Sequence, residues 1–148
     1  MIRVHPIKES TGYALAKVCK AYRGNVGEYL AEVGLHVGQE MVLIELFEQD
    51  GLRGGDLAER LGVEPPTVTK MLRRLEKCGL VERRQDSQDA RSFRVYLTGK
   101  GRSLEDPLAR CWERVEEKTF AGMSFGERRT FRRLLAKVRT NLDLGCAE

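Results

Sequence analysis

The sequence lacks any long hydrophobic run. Its longest stretch of consecutive large apolar residues is Met41–Ile44, whereas a helix that spans a bilayer needs about 20. The stretch is also too short for the core of an export signal, and residues 1–9 are mixed and charged. We therefore expect neither membrane insertion nor export, and we predict a cytoplasmic protein.

Cysteine and histidine are scarce, and they are scattered. The four cysteines are Cys19, Cys78, Cys111 and Cys146. They form no C-x-x-C pair, so they indicate neither a disulfide framework nor a zinc knuckle, and reduced thiols are expected. Metal sensing needs three or four convergent ligands, and the two histidines, His5 and His36, lie far apart in the sequence. We expect no metal site.

Catalytic signatures are missing as well. No nucleophile–base constellation stands out, and the glycine-rich stretch 51–55 lacks the lysine of a phosphate-binding loop. We therefore predict no enzyme, no catalytic residue and no cofactor.

Positive charge is concentrated in one region. The chain has 26 Lys and Arg against 22 Asp and Glu, a formal net charge of +4. Residues 51–102 carry 12 basic and 7 acidic side chains, and the remainder carries 14 and 15. All the excess thus lies in the middle third, as expected if that region meets a polyanion.

Most of the chain has the periodicity of helices. Apolar residues at steps of three and four predict a long first helix over 15–33, ended by Gly34. Further helices are predicted at 39–47, 55–61 and 65–78, then a long one after Thr98 and a last one from Ser124. Pro107 is expected to bend or break the long helix, and Ser124 with Glu127 forms a capping box. Two β-rich stretches, 80–83 and 94–97, flank the polar run 84–92 and predict a hairpin.

The segment 56–75 predicts a helix-turn-helix. Its second helix, 65–78, buries Val68, Leu72 and Leu75 on one face. The opposite face and its flanks carry cations and hydroxyls that suit base edges and phosphates: Thr67, Thr69, Lys70, Arg73, Arg74 and Lys77. A solvated basic face is the alternative for this helix alone.

The hairpin predicts a second contact with the polyanion. Four arginines surround its loop, and two aspartates lie within it: Arg83, Arg84, Arg91, Arg94, Asp86 and Asp89. An arginine at the tip of such a wing enters the narrow minor groove, where the negative potential is strongest. Asp89 is spaced to hold the guanidinium of Arg91, and Arg84 is a further candidate contact. A mobile polar loop is the alternative for this element alone.

The run 55–102 resembles the MarR family of winged helix-turn-helix transcriptional regulators. The motifs that carry the resemblance are LGV-x-x-x-TVT-x-x-x-x-x-LE, GLVERR-x-D-x-x-D-x-R and V-x-LT-x-x-G, and the flanking helices extend it over nearly the whole chain. The resemblance implies a mainly α fold with a small β-hairpin wing. It also implies one domain over 1–148, with dimerisation helices at 8–34 and 99–145 and a DNA-binding lobe at 38–98.

This resemblance also implies a function. It implies a homodimeric repressor on a palindromic operator, commonly released by a small aromatic ligand or an oxidant. The residues that carry over are, for the major groove, Thr67, Thr69, Lys70, Arg73 and Arg74, and, for the wing, Asp89 and Arg91. Two positions depart from the pattern: Glu64 stands where Ser or Asp often caps the recognition helix, and Ala90 replaces a frequent arginine.

Three alternatives remain open. A winged helix can serve as a protein–protein adaptor without specific DNA binding. Cys19 would be the thiol of a redox-sensing regulator, but it falls on the apolar stripe of the first helix, which predicts burial. Aromatic residues could line an effector pocket or belong to the core or a dimer interface. These aromatics are Tyr13, Tyr22, Tyr29 and Trp112.

Overall fold

The computed structural model describes Met1 and residues 3–145. The chain divides into two compact units, Met1–Val115 and Glu116–Glu148. Cys146 lies outside the described residues. None of the described helices combines the length and apolarity needed to cross a bilayer.

Helices make up most of the described chain. After a 3₁₀ turn at Pro6–Glu9, the helices are α1 Thr11–Ala31, α2 Gln39–Glu48, α3 Gly54–Leu61, α4 Pro65–Lys77, α5 Gly99–Arg102, α6 Glu105–Thr119 and α7 Phe125–Gly145. The strands are β1 Leu52–Arg53, β2 Val81–Gln85 and β3 Phe93–Leu97. A mainly helical fold with a small antiparallel wing is confirmed.

The sheet is small and antiparallel, in the order β1-β3-β2. The hairpin pairs Val81 with Leu97 and Gln85 with Phe93, so its strands are longer than the sequence predicts. The sequence also misses β1, which pairs Leu52 with Val95. A two-residue strand is too short to show any alternation of apolar and polar residues.

The helix expected after Thr98 is two helices. Thr98 caps α5, accepting a hydrogen bond from the backbone N–H of Gly101 at 3.0 Å. The chain then breaks before α6, and Pro107 lies in the first turn of α6. A proline is tolerated there because the first turn of a helix leaves its N–H groups without intrahelical partners.

The core of Met1–Val115 gathers aliphatic side chains from all its longer elements. From α1 only Val26 and Leu30 are buried, whereas Leu15 is 38% and Val18 58% exposed. Cys19 is exposed too. Its predicted burial is therefore wrong for the single chain, because the other core elements cover only the C-terminal half of the α1 stripe.

The unit Glu116–Glu148 contains α7 and its cap. Ser124 and Glu127 form the predicted capping box: the N–H of Ser124 donates to Glu127 Oε2 at 2.7 Å, and that of Glu127 to Ser124 Oγ at 3.2 Å. The apolar stripe of α7 is exposed within the single chain. Its members are Phe131, Leu134, Leu135, Val138 and Leu142.

Candidate nucleic-acid interface

Helix α4 is seated by its apolar face. Val68, Leu72 and Leu75 are at most 2% exposed, and they lie in one core cluster with Leu57 and Ala58 of α3. Burying a side chain of this size stabilises the fold by roughly 1.5–3 kcal/mol. The inner face of α4 is thereby fixed, and its remaining faces are directed outward.

A tight turn sets α3 and α4 against each other. Gly62 adopts φ 64°, in the left-handed region that favours glycine. The N–H of Val63 then donates back to the carbonyl of Ala58 at 3.0 Å, which closes the end of α3. Pro65 opens α4, and Glu64 precedes it without any side-chain cap bond, as expected for a weak cap.

The outward face of α4 carries four cations. Lys70, Arg73, Arg74 and Lys77 are exposed. Within the described part of the chain, no carboxylate pairs with any of these four. Such side chains are free to donate to phosphates or base edges.

Two threonines flank the start of this face. Thr67 is exposed and Thr69 is half-buried. The Thr69 hydroxyl donates to the carbonyl of Pro65 at 3.2 Å, which leaves its lone pairs available as acceptors. The structure thus brings together all six residues that the sequence predicts for this helix.

The wing tip is an Asx turn, and this corrects one predicted contact. Asp89 Oδ1 accepts the backbone N–H of Arg91 at 2.9 Å, rather than its guanidinium. A short carboxylate readily reaches the backbone two residues on, which explains the difference. The Arg91 side chain is exposed, and no carboxylate among the described residues pairs with it.

Two other wing arginines are engaged within the protein. Arg83 pairs with Glu76 at the end of α4, and its guanidinium carbon lies 5.4 Å from the ring centre of Phe93. Arg84 pairs with Glu82 and lies 4.4 Å from the ring centre of Tyr96. Arg84 remains exposed, but a nucleic acid would have to compete with Glu82 for it.

Asp86 is a structural residue that sequence reasoning missed. It is 3% exposed, and its Oδ2 accepts from Arg53 Nε at 2.8 Å. Arg94 Nε lies 3.5 Å from Oδ1, while Arg94 Nη1 donates to the carbonyl of Gly51 at 2.8 Å. Asp86 and Arg94 therefore point inward, and no signal in the sequence distinguishes Asp86 from its exposed neighbour Asp89.

The wing tip and α4 border a common cleft of about 310 Å³. Thr69 lines it from α4, Asp89 and Arg91 line it from the wing, and Asp56 lines it from α3. Two residue sets that the sequence predicts separately are thus neighbours in space.

The three described cysteines and the four aromatics considered as pocket residues do not line this cleft. Burial raises the pKa of the Cys111 thiol, with a further contribution from Glu32, so the unreactive neutral form is favoured. Three of the aromatics considered as pocket residues are half-buried against the core: Tyr22, Tyr29 and Trp112. Arg114 lies 4.6 Å from the ring centre of Tyr29 and pairs with Glu32 at 2.5 Å.

Comparison with known proteins assigns a family to this arrangement. The sequence profile of the MarR family matches residues 35–93. The HTH-type transcriptional regulator TtmR of Methylorubrum extorquens is 36% identical over 123 residues, which are 83% of this chain and 60% of TtmR. The HTH-type transcriptional repressor Mb2911 of Mycobacterium bovis is 29% identical over 86% of this chain and 91% of its own.

A solved structure of a DNA-binding protein has a similar fold. It is that of Bordetella bronchiseptica BpsR, whose DNA binding is regulated by 6-hydroxynicotinic acid. It matches with a TM-score of 0.83 and 25% identity, covering 93% of this chain and 98% of BpsR. With its winged helix-turn-helix, its sequence motifs and these relatives, the chain belongs to the MarR family.

Proposed function

We propose that this protein is a DNA-binding transcriptional repressor that acts as a homodimer on a palindromic duplex operator. The observation that carries the proposal is the outward face of α4, where four exposed cations have no carboxylate partner among the described residues. Thr69 of the same helix lines the cleft that the wing tip borders. The naming of Mb2911 as a repressor and the regulated DNA binding of BpsR support it.

The roles of the individual residues follow from their positions. We assign the major groove to α4. Its guanidinium and ammonium groups donate to guanine or phosphate, and its threonine hydroxyls bond base edges or phosphates. The residues are Thr67, Thr69, Lys70, Arg73, Arg74 and Lys77. We assign the minor groove to Arg91, with Asp89 shaping the wing tip and Arg84 as a flanking contact.

The homodimer rests on apolar faces that each unit leaves exposed. In Met1–Val115 this face is the N-terminal half of α1, and in Glu116–Glu148 it is the stripe of α7. Exposed apolar stripes of this kind mark association surfaces. A two-fold pair would present two α4 helices about 34–36 Å apart, one turn of DNA. We retain 8–34 and 99–145 as the dimerisation helices and 38–98 as the DNA-binding lobe.

We also propose that a small aromatic molecule regulates this binding. A ligand weakens DNA binding only if it binds the DNA-free conformation more tightly than the DNA-binding one. The difference is measurable as a coupling free energy between ligand binding and DNA binding. Thermal shift with a panel of aromatic acids that includes 6-hydroxynicotinic acid, followed by duplex release, tests this. If no compound in the panel raises the unfolding temperature, the proposed regulation is wrong, while the proposal of a repressor stands.

We place the protein's action in the cytoplasm and infer no catalytic activity, since the relatives reported above are named as regulators.

Selection of bound sequences from random duplex DNA tests the proposal. The expected result is an inverted repeat whose half-sites are about 10 base pairs apart, bound by two chains. A protein–protein adaptor would enrich no sequence at any salt concentration, and that outcome would overturn the proposal.

A further inference from the structure

The wing loop 86–92 contains no buried apolar residue. Its central residues, 87–91, are all exposed. Most of its hydrogen bonds are internal to the hairpin, for example Gln85 Nε2 to the carbonyl of Ala90 at 2.9 Å and the N–H of Asp86 to the carbonyl of Ser92 at 3.0 Å. Internal bonds shape the loop, but they do not fix its direction relative to α4.

One side chain of this loop is buried, and it is charged. The side chain of Asp86 is 1% exposed. Burying a carboxylate is costly unless it is paired and hydrogen-bonded. Asp86 meets both conditions: Oδ1 accepts the N–H of Gln88 at 3.1 Å, and the two oxygens face the guanidiniums of Arg53 and Arg94. The Ser92 hydroxyl lies 3.5 Å from Oδ2.

These partners belong to different parts of the lobe. Arg53 ends β1 and immediately precedes α3, the first helix of the helix-turn-helix, and Arg94 lies in β3. Among hydrogen bonds of the described residues, the one from Arg53 to Asp86 is the link between loop 86–92 and the helix-turn-helix. Asp86 therefore couples the base of the wing to the motif that holds α4.

We infer that Asp86 is the positioning residue of the wing: through Arg53 it fixes the direction from which Arg91 meets the duplex. This inference rests on the proposed function. Asp86 is turned inward and its carboxylate is occupied, so it acts on the duplex through Arg91 rather than by contact.

Charge alone predicts the opposite effect for a substitution. Asp86→Asn removes a negative charge, which by itself strengthens binding to a polyanion. A loss of duplex affinity in this variant therefore indicates that the wing has changed position. Asp106→Asn, at an exposed position of α6, is the matched control and is expected to bind the duplex at least as well as wild type.

A double-mutant cycle tests the inference. Asp86→Asn is expected to weaken duplex binding about tenfold in the wild-type background and less than about twofold in Arg91→Ala, because its effect passes through Arg91. In Arg73→Ala the loss should remain about tenfold, since α4 contributes independently. A tenfold loss that persists in Arg91→Ala would overturn the inference, as would no loss in wild type.

Two further measurements keep the result decisive. Arg53→Gln removes the ion pair between Arg53 and Asp86, while Asp86 keeps its pairing with Arg94. If Asp86→Asn does not fold, Arg53→Gln takes its place in the cycle. In Asp86→Asn without DNA, hydrogen exchange at the amides of Gln88 and Ser92 should be at least about tenfold faster than in wild type, while the amides of α4 stay protected. Unchanged exchange would overturn the inference. Wild-type protein that binds no duplex would contradict the proposed function instead.

Discussion

The contact between Gly101 and the turn after α4 gives a sharp test of the fold. An added Cβ at Gly101 would lie 2.0 Å from the carbonyl oxygen of Leu80 and 3.3 Å from Leu97 Cδ2. The closest atom is backbone, so no side-chain rotation can relieve the overlap. The same carbonyl accepts the N–H of Thr98 at 3.0 Å, which docks α5 at the start of β2.

The expected cost of Gly101→Ala follows from these contacts. Overpacking costs about 1–3 kcal/mol, and a rigid backbone partner places this site at the upper end. Loss of the bond from Thr98 to Leu80 adds about 1 kcal/mol. The better helix propensity of alanine returns about 1 kcal/mol. We expect a net loss of about 3 kcal/mol in the free energy of unfolding, or a Tm lower by roughly 6–12 °C.

Gly99→Ala is the matched control. Gly99 lies in the same short helix, and nothing lies within 4 Å of its added Cβ. It should therefore be neutral or stabilising by up to about 1 kcal/mol. Urea unfolding followed by circular dichroism, at equal protein concentration, measures both variants. A Gly101→Ala midpoint equal to that of wild type would refute the reasoning.

Three further predictions concern other parts of the chain. Burial raises the pKa of Glu40, so the folded state loses stability as pH rises through that pKa. Glu40→Gln still accepts the N–H of Gly38, and it should stabilise the protein at pH 8 but not at pH 4. An equal effect at both pH values would contradict this. Ser124→Ala removes a bond to the N–H of Glu127 and should lower the free energy of unfolding by about 1 kcal/mol, whereas an unchanged urea midpoint would exclude a role for the cap. Leu134→Asp on the exposed stripe of α7 should weaken self-association at least about tenfold by analytical ultracentrifugation, and unchanged sedimentation would place the dimer interface elsewhere.

Helix α4 could be predicted almost completely from the sequence. Its inner residues repeat at helical spacing, and they are buried where that spacing indicates. Gly62 marks the turn before it by its left-handed backbone, and Gly79, with φ 72°, marks its end. Local patterns of this kind carry their own structural information.

Features that depend on distant partners could not be predicted. The pairing of Leu52 with Val95 joins residues far apart in the sequence. The burial of Asp86 depends on Arg53, which is 33 residues away. Asp86 and Asp89 have similar sequence surroundings, and only the three-dimensional contacts distinguish them. The stripe of α1 was predicted correctly as apolar, but the single chain leaves Cys19 on it exposed.

The salt dependence of duplex binding tests the central claim most directly. Each phosphate neutralised by the protein adds about 0.9 to the slope of log K against log salt concentration. Replacing Arg73 and Arg91 together by alanine removes four arginines from a bound dimer, and it should therefore weaken binding and lower the slope by up to about 3.6. Arg110→Ala, a control on α6 that removes the same kind of charge, should leave the slope unchanged. A double variant that keeps the wild-type affinity and slope would contradict the assignment of α4 and the wing to DNA.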